Sequence, residues 1–221
     1  MTDLETLQPF ANDVWIAAGP AVRFWGFSLP TRMIVVKLDD GSLWINSPVA
    51  ATRVEAARLE DIGPVAHLVS PTPMHDWRLR SWAEFFPRAQ IWSASRLAGA
   101  PPAAWKNEID RVLFRGSLVL AETEFFHRPS RTLIVADFIQ NYRSEPNRPL
   151  RNALKRLGGV LDGGMPRDIR LTFIGEQRRR LAEDAVQKLL AWDFEKLIVA
   201  HGDPVANGAR PLVERAFAWL Q

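Results

Sequence analysis

The feature that most constrains this chain is a pair of short apolar runs that each deliver one polar residue at their end. TLIVADFIQN, Thr132 to Asn141, delivers Asp137, and LIVAHGD, Leu197 to Asp203, delivers His201. Continuous apolar and β-branched runs of this length are typical of strands buried on both faces. Because open α/β sheets place their sites outside the carboxyl ends of such strands, the two runs predict a functional site that contains Asp137 and His201.

A third run ends in the same way. VAHLVSPTPMHDW, residues 65–77, places His75 and Asp76 just after its strand, whereas His67 lies inside the strand and is predicted to be a hydrogen-bonded sheet residue. Three strand ends thus present His75, Asp137 and His201, and two imidazoles with one carboxylate are a sufficient ligand set for a catalytic metal ion. The chain has no cysteine, so thiolate ligands and disulfides are excluded. Zinc is favoured, with iron or manganese as alternatives.

Asp76 allows two interpretations. Beside a metal at His75 it is a candidate catalytic residue, as a general base, a further ligand or the partner that orients an imidazole. It is equally suited to cap the helix that is predicted to follow, WRLRSWAEF.

Length and composition limit the remaining classes. The 221 residues are 47% hydrophobic and predict a single domain, residues 1–221. No apolar run is long enough for a transmembrane helix, and the N-terminus lacks the pattern of a signal peptide, so we expect a cytoplasmic protein with no membrane partner. The net charge of +3 is too small and too dispersed to predict nucleic-acid binding. The expected partner is a small-molecule substrate of unknown identity, and the oligomeric state is not predicted.

The order of elements predicts the fold class. Hairpin-linked strands run from Asp13 to Asn46, with turns expected at Gly19-Pro20, Leu29-Pro30 and Asp39-Asp40-Gly41. Helices and strands then alternate, and a second group of strands follows, expected at VLFRGS, SLVLAE, TEFFHR and RTLIVAD. Hairpins in both halves favour an α/β (α+β) protein built as a four-layer αββα sandwich, two mixed β-sheets flanked by helices, over a doubly wound sheet.

These motifs resemble the metallo-β-lactamase superfamily, which has that αββα sandwich and the fold of glyoxalase II-like hydrolases. Within it, the chain looks most like a bacterial domain-of-unknown-function branch with degenerate metal motifs. The stretches that carry this likeness are GPAVRFWGFSLPTRM, INSPVA, VLFRGS, FFHRPSRTLIVADFIQN, GGMPRD and AHG, which together extend over nearly the whole chain.

The resemblance implies a depleted metal site. The superfamily signature is His-x-His-x-Asp-His, and if His75 is its last histidine, the other three ligands fall on Ser70, Thr72 and Met74. The lone middle histidine is also missing near Ser117. The ligands of the first metal site are therefore absent, whereas His75, Asp137 and His201 of the second site remain, which implies a mononuclear centre. His127, in TEFFHR, is a further candidate catalytic residue that could replace the middle ligand, and its alternative is a structural histidine.

Two functions follow from this ligand set. The first is a metal-dependent hydrolase of the metallo-β-lactamase type with a metal-bound water as nucleophile, and the loss of four ligands supports the second, a catalytically inactive binding or interaction module that needs no metal. Iron-dependent redox chemistry is a third hypothesis for the same ligand set. Whether the chain is an enzyme stays open from the sequence.

Overall fold

The computed structural model describes residues 7–24, 27–99 and 105–220, and the chain divides into two compact units. The first unit ends at Glu108 and the second begins at Ile109. Each unit contains one mixed β-sheet, its own hydrophobic core and flanking helices, as the sequence predicted. The prediction of a single domain stays a prediction.

The first unit is organised around a sheet of six strands in the order β1-β2-β3-β4-β5-β6. Its strands pair antiparallel from β1 to β4 and parallel from β4 to β6. The strand bounds are β1 Gln8–Ala11, β2 Val14–Phe24, β3 Phe27–Lys37, β4 Leu43–Asn46, β5 Val65–Val69 and β6 Gln90–Trp92. The helices are α1 Arg53–Ala57, α2 Leu79–Phe85 and α3 Ala94–Leu97, with 3₁₀ helices at Arg58–Asp61 and Pro73–Arg78.

Two turns that the sequence predicted in this unit are wrong. Strand β2 runs through Gly19-Pro20 and β3 runs through Leu29-Pro30, so two long strands form in place of the shorter ones that these turns would have separated. Neighbouring strands pair with β2 only as far as Ile16 and with β3 only from Ile34 onward, which leaves the rest as a two-stranded ribbon. A proline on a strand without a second neighbour removes no ladder hydrogen bond, and the register shift after Gly19 accommodates Pro20. Trp25 and Gly26, between β2 and β3, lie outside the described residues.

The second unit contains a sheet of four strands in the order β10-β9-β8-β7. Strand β10 is parallel to β9, and the other pairs are antiparallel. The bounds are β7 Ile109–Phe114, β8 Glu122–His127, β9 Thr132–Val135 and β10 Lys196–Val199, with α4 Pro149–Gly158, α5 Arg167–Arg170, α6 Glu176–Leu190 and α7 Arg210–Phe217. The predicted strand SLVLAE does not form. Ser117 Oγ instead accepts hydrogen bonds from the backbone N–H groups of Val119 and Leu120, which holds that segment in a turn.

The core of the second unit lies between its sheet and helices α6 and α7. Phe114 is fully buried there, with ring centroids 4.8 Å from Phe138 and 5.3 Å from Phe217. Aromatic side chains bury large apolar areas, so this cluster contributes strongly to the stability of the unit that carries Asp137 and His201.

We expect Phe114→Ala to lower the free energy of unfolding by about 3–5 kcal/mol, because it leaves a cavity among three rings. Leu171→Ala is the matched control, since that side chain is 77% exposed and its removal should change stability by less than about 0.5 kcal/mol. Urea unfolding monitored by circular dichroism measures both. Equal effects of the two substitutions would contradict this description of the core.

Candidate metal site

The parallel pairing of β9 with β10 brings Asp137 and His201 together. Val135 lies opposite Val199, so the two strands end at the same edge of the sheet, and each is followed by one alanine and then the polar residue. His201 Nε2 lies 3.0 Å from Asp137 Oδ1, and both residues are buried. The part of the site that the two apolar runs predicted, Asp137 beside His201, is therefore present in the second unit.

The separation of these two atoms suits a shared metal ion. Zinc ligands lie about 2.0–2.1 Å from the ion, so two ligands of a tetrahedral site are roughly 3.3 Å apart. A neutral imidazole and a carboxylate are also the donor types that zinc and iron accept. The pair thus fits a metal in geometry and chemistry, and without one it is a buried hydrogen bond.

Hydrogen bonds from Asn141 fix the segment after His201. Asn141 N–H donates to the carbonyl of His201 at 3.1 Å, and the Asn141 side chain donates to the Asp203 carbonyl at 2.7 Å. Gly202 has a φ of +96°, and a Cβ atom there would lie 2.1 Å from the Asn141 carbonyl oxygen. Only glycine permits this approach, which explains the Gly in the motif AHG.

A buried glutamate that the sequence analysis missed holds the Asp137 loop. The backbone N–H groups of Ala136, Asp137 and Phe138 donate to the Glu122 carboxyl at 2.5, 2.8 and 3.1 Å. Three donors therefore converge on two oxygens of one side chain. This arrangement sets the direction of the Asp137 backbone and, through it, the position of the Asp137 carboxylate.

A second buried glutamate lies beside the first. Glu124 is two residues further along β8 and so points to the same face of the sheet. Burial, followed by the charge of Asp137, raises the pKa of Glu122 to about 8. Burial and the neighbouring Glu122 raise the pKa of Glu124 well above its usual range. Both carboxyls are therefore largely protonated at neutral pH, and the Asp137 carboxylate faces little competing negative charge.

Burial and the charge of Asp137 also raise the pKa of Tyr142 to about 12, which keeps its phenol protonated near the site.

His75 belongs to the first unit, where its ring orientation is set by a chain of hydrogen bonds. It lies in the 3₁₀ helix Pro73–Arg78, and its Nδ1 is 2.8 Å from Ser47 Oγ. Ser47 Oγ lies 2.7 Å from Asn46 Oδ1, to which it donates. A hydroxyl that donates to Asn46 accepts from His75 Nδ1, and that arrangement leaves the lone pair of a neutral imidazole on Nε2. Such orientation of a ligand histidine by a hydrogen bond at its other nitrogen is a common feature of metal sites.

Ser70 and Thr72, at the positions where the superfamily signature has histidines, are hydrogen-bonded to each other. Ser70 and Thr72 are fully buried, and Ser70 Oγ donates to the Thr72 carbonyl at 2.8 Å. The Ser70 hydroxyl thus closes a backbone turn before His75 instead of offering a ligand atom.

The predicted catalytic residues Asp76 and His127 have other contacts. Asp76 Oδ1 accepts from the backbone N–H of Ala94 at 3.2 Å, so the prediction that it caps the helix after it is wrong, since helix α2 has no side-chain cap. His127 is at the end of β8 opposite to Glu122, five residues or roughly 16 Å along the strand. Its Nδ1 is 2.7 Å from Ser130 Oγ. The structure does not bring His127 to Asp137, and the catalytic roles of both residues stay predictions.

The structure confirms the structural role predicted for His67. Trp92 Nε1–H donates to its Nδ1 at 3.2 Å, and burial lowers the pKa of the imidazole.

The glutamate pair provides a matched test. We expect Glu122→Gln to lower both stability, by about 1–3 kcal/mol, and metal affinity. Both oxygens of the Glu122 carboxyl accept from backbone N–H groups, which a protonated carboxyl can still do, whereas the nitrogen of an amide cannot accept and would oppose one of these N–H groups. Glu124→Gln should cost less than about 1 kcal/mol, since an amide resembles the protonated carboxyl that it replaces. Urea unfolding and zinc titration measure both variants. A larger effect of Glu124→Gln than of Glu122→Gln would contradict the assignment.

The same pair predicts a pH dependence. Both folded-state pKa values lie above the ordinary value of 4.5, so the folded chain binds more protons than the unfolded chain as pH rises from about 5 to about 8. We therefore expect the free energy of unfolding of metal-free protein to fall over that range. Glu124→Gln should make the fall shallower, and an identical slope in wild type and variant would show that Glu124 does not titrate in this way.

Comparison with known protein sequences found a match to one protein family model. Residues 21–101 match the sequence profile of a domain of unknown function, DUF4336. A search of curated protein sequences found no match. No helix in the described part of the chain has the length and apolarity required to cross a membrane.

Similar solved structures extend over nearly the whole chain. A metal-soaked Flv1 flavodiiron core from Synechocystis sp. is 12% identical with a TM-score of 0.62, covering 97% of this chain and 60% of its own, so this chain spans less than two thirds of that protein. An NDM/FIM-1-like metallo-β-lactamase from Erythrobacter litoralis in the mono-zinc form is 13% identical with a TM-score of 0.59, covering 97% and 95% of the two chains. A metallo-β-lactamase from Pontibacter korlensis is 12% identical with a TM-score of 0.59 and covers 98% of each chain. Identities this low show the fold alone. The predicted fold is thus confirmed: the chain has the metallo-β-lactamase fold, with a DUF4336 match over residues 21–101.

Proposed function

We propose that the chain is a mononuclear metal-dependent hydrolase in which Asp137, His201 and His75 bind one divalent ion. The observation that carries the proposal is the buried Asp137–His201 pair, with Nε2 and Oδ1 at a separation that one ion can bridge. Each of the three side chains offers a ligand atom of a kind that transition metals accept. Zinc is the proposed ion, and the mono-zinc lactamase of the same fold is consistent with a single-ion centre.

Glu122 and Ser47 would orient the proposed metal ligands. Glu122 holds the Asp137 loop, so the carboxylate is positioned before any ligand binds. The hydrogen bond between Ser47 and His75 Nδ1 would orient the imidazole so that Nε2 offers the lone pair. A bound divalent ion would supply Lewis-acid activation of water and of a carbonyl substrate. The proposed substrates are therefore small esters, amides or thioesters.

Ser70 and Thr72 support one ion instead of two. Their buried side chains occupy signature positions, and neither a hydroxyl committed to a backbone carbonyl nor a threonine is a usual zinc ligand. A binding module without metal is the competing function. The preformed Asp137–His201 pair favours the hydrolase, because a module without metal has no need to bury an acid and an imidazole at a sheet edge.

We expect wild-type protein purified without chelators to contain about one equivalent of zinc. Asp137→Ala and His201→Ala should lose it, and His75→Ala should lose or greatly weaken it. His127→Gln is the control, because it also changes a buried histidine and should retain the metal. Elemental mass spectrometry measures the content, and a screen of ester and thioester substrates follows with the loaded protein.

Ser47→Ala refines the same experiment. Loss of the hydrogen bond to His75 should weaken zinc binding by roughly 10–100-fold without removing a ligand. Ser70→Ala also removes a buried hydroxyl but should leave the affinity unchanged. Metal-free wild type with a melting temperature that zinc, iron and manganese do not alter would instead favour the inactive module.

A further inference from the structure

Helix α4 has its polar side toward the protein and its apolar side toward solvent. Leu150, Leu154 and Leu157 are 73%, 41% and 66% exposed, and no residue of the helix is buried. Residues spaced by four and three positions lie on one face of a helix, so the three leucines form a continuous apolar stripe. We call this stripe and the arginines beside it the α4 face.

Specific hydrogen bonds hold the helix in this orientation. The Asn152 side chain donates to the Glu145 carbonyl and accepts from its N–H, both at 2.8 Å. Lys155 Nζ donates to the Arg143 carbonyl at 2.9 Å and pairs with the Glu145 carboxylate at 2.7 Å. The ammonium also lies 5.6 Å from the centre of the Tyr142 ring. These contacts of Asn152 and Lys155 hold the polar side of α4 against the protein, so the leucines face outward.

The charges beside the stripe have one sign. The helix sequence PLRNALKRLG contains no acidic residue, and exposed Arg151 and Arg156 lie on opposite sides of the leucines, with Arg148 at the N-terminus. In the described part of the chain no ion pair involves Arg148 or Arg156, whereas Arg151 pairs with Glu145 at 3.3 Å. A complementary partner therefore offers apolar contact flanked by negative charge.

A second exposed apolar cluster follows helix α5, which packs against α4. Its members are on two loops tied together by Leu118 N–H donating to the Thr172 carbonyl at 3.2 Å and by a 2.7 Å hydrogen bond between Ser117 and Thr172. The exposed side chains are Leu118, Val119, Leu171 and Ile174. Soluble surfaces seldom expose this many large apolar side chains in neighbouring elements without a partner.

We propose that the α4 face binds the surface of an anionic lipid bilayer. A basic amphipathic helix with leucines on one side is suited to the boundary between acyl chains and anionic headgroups. The helix is convex and has no buried residue, and a lipid surface accepts a convex helix without needing a groove. A second copy of the chain is disfavoured, because a symmetric contact through this face would oppose arginines with arginines.

This proposal does not depend on the metal site, and it departs from the expectation of no membrane partner. That expectation rested on the absence of a spanning segment, which does not address attachment to a surface.

The test is cosedimentation of the full chain with vesicles. Wild type should bind vesicles of phosphatidylcholine mixed with phosphatidylglycerol, should not bind phosphatidylcholine alone, and should be released by high salt. L154E/L157E should abolish binding, and R151E/R156E should weaken it by at least about tenfold. Leu181→Glu is the control, since it places the same charge on an exposed leucine of α6 and should leave binding unchanged. Circular dichroism and urea unfolding verify that each variant is folded.

Three outcomes would overturn the proposal. Absence of binding to the anionic vesicles excludes the lipid surface, and equal binding to neutral vesicles excludes the role of the arginines. A concentration-dependent dimer that L154E/L157E converts to monomer, without vesicle binding, assigns the α4 face to a contact between copies of the chain.

Discussion

The parallel pairing of β9 with β10 is the interaction on which the candidate site depends. Parallel strands end at the same edge of a sheet, so Val135 opposite Val199 puts the residues that follow within hydrogen-bond distance. The hairpin of β8 and β9 then brings Glu122 under the Asp137 loop. Asn141 and Gly202 close the edge by an approach that no larger residue allows. Local pairing and one buried carboxyl therefore position a carboxylate and an imidazole before any ligand is present.

The sequence predicted this half of the site because its signal is local. An apolar run that ends in one polar residue marks both the strand and the strand end, and Asp137 and His201 each follow such a run. Glu122 and Glu124 carry the opposite signal, since charged residues in a strand pattern indicate an exposed face. Their burial depends on backbone donors from another segment and on retained protons, which no local pattern reveals. The same limit applies to Ser47, since no local pattern indicates its hydrogen bond with His75.

The errors in the fold prediction have similar causes. Prolines at positions 20 and 30 normally interrupt a strand, but here each lies where its strand has one neighbour, and strand order is not visible in the sequence. The run SLVLAE has the composition of a strand, yet the Ser117 hydroxyl accepts from two backbone N–H groups, and Leu118 and Val119 face solvent. In α4 the leucines recur at helical spacing, whereas the side that faces the protein is set by Asn152 and Lys155. Amphipathic periodicity defines a face but not its direction when polar anchors oppose it.

The central proposal is that one metal ion binds to the Asp137–His201 pair at the ends of β9 and β10, with His75 as a third ligand. Diffraction data from crystals of zinc-loaded protein, collected on both sides of the zinc absorption edge, test it most directly. We expect a single anomalous peak about 2.0–2.2 Å from a carboxylate oxygen of Asp137 and from one ring nitrogen each of His201 and His75. A peak on other side chains, a second peak of equal height, or no peak beside the Asp137–His201 pair would contradict it.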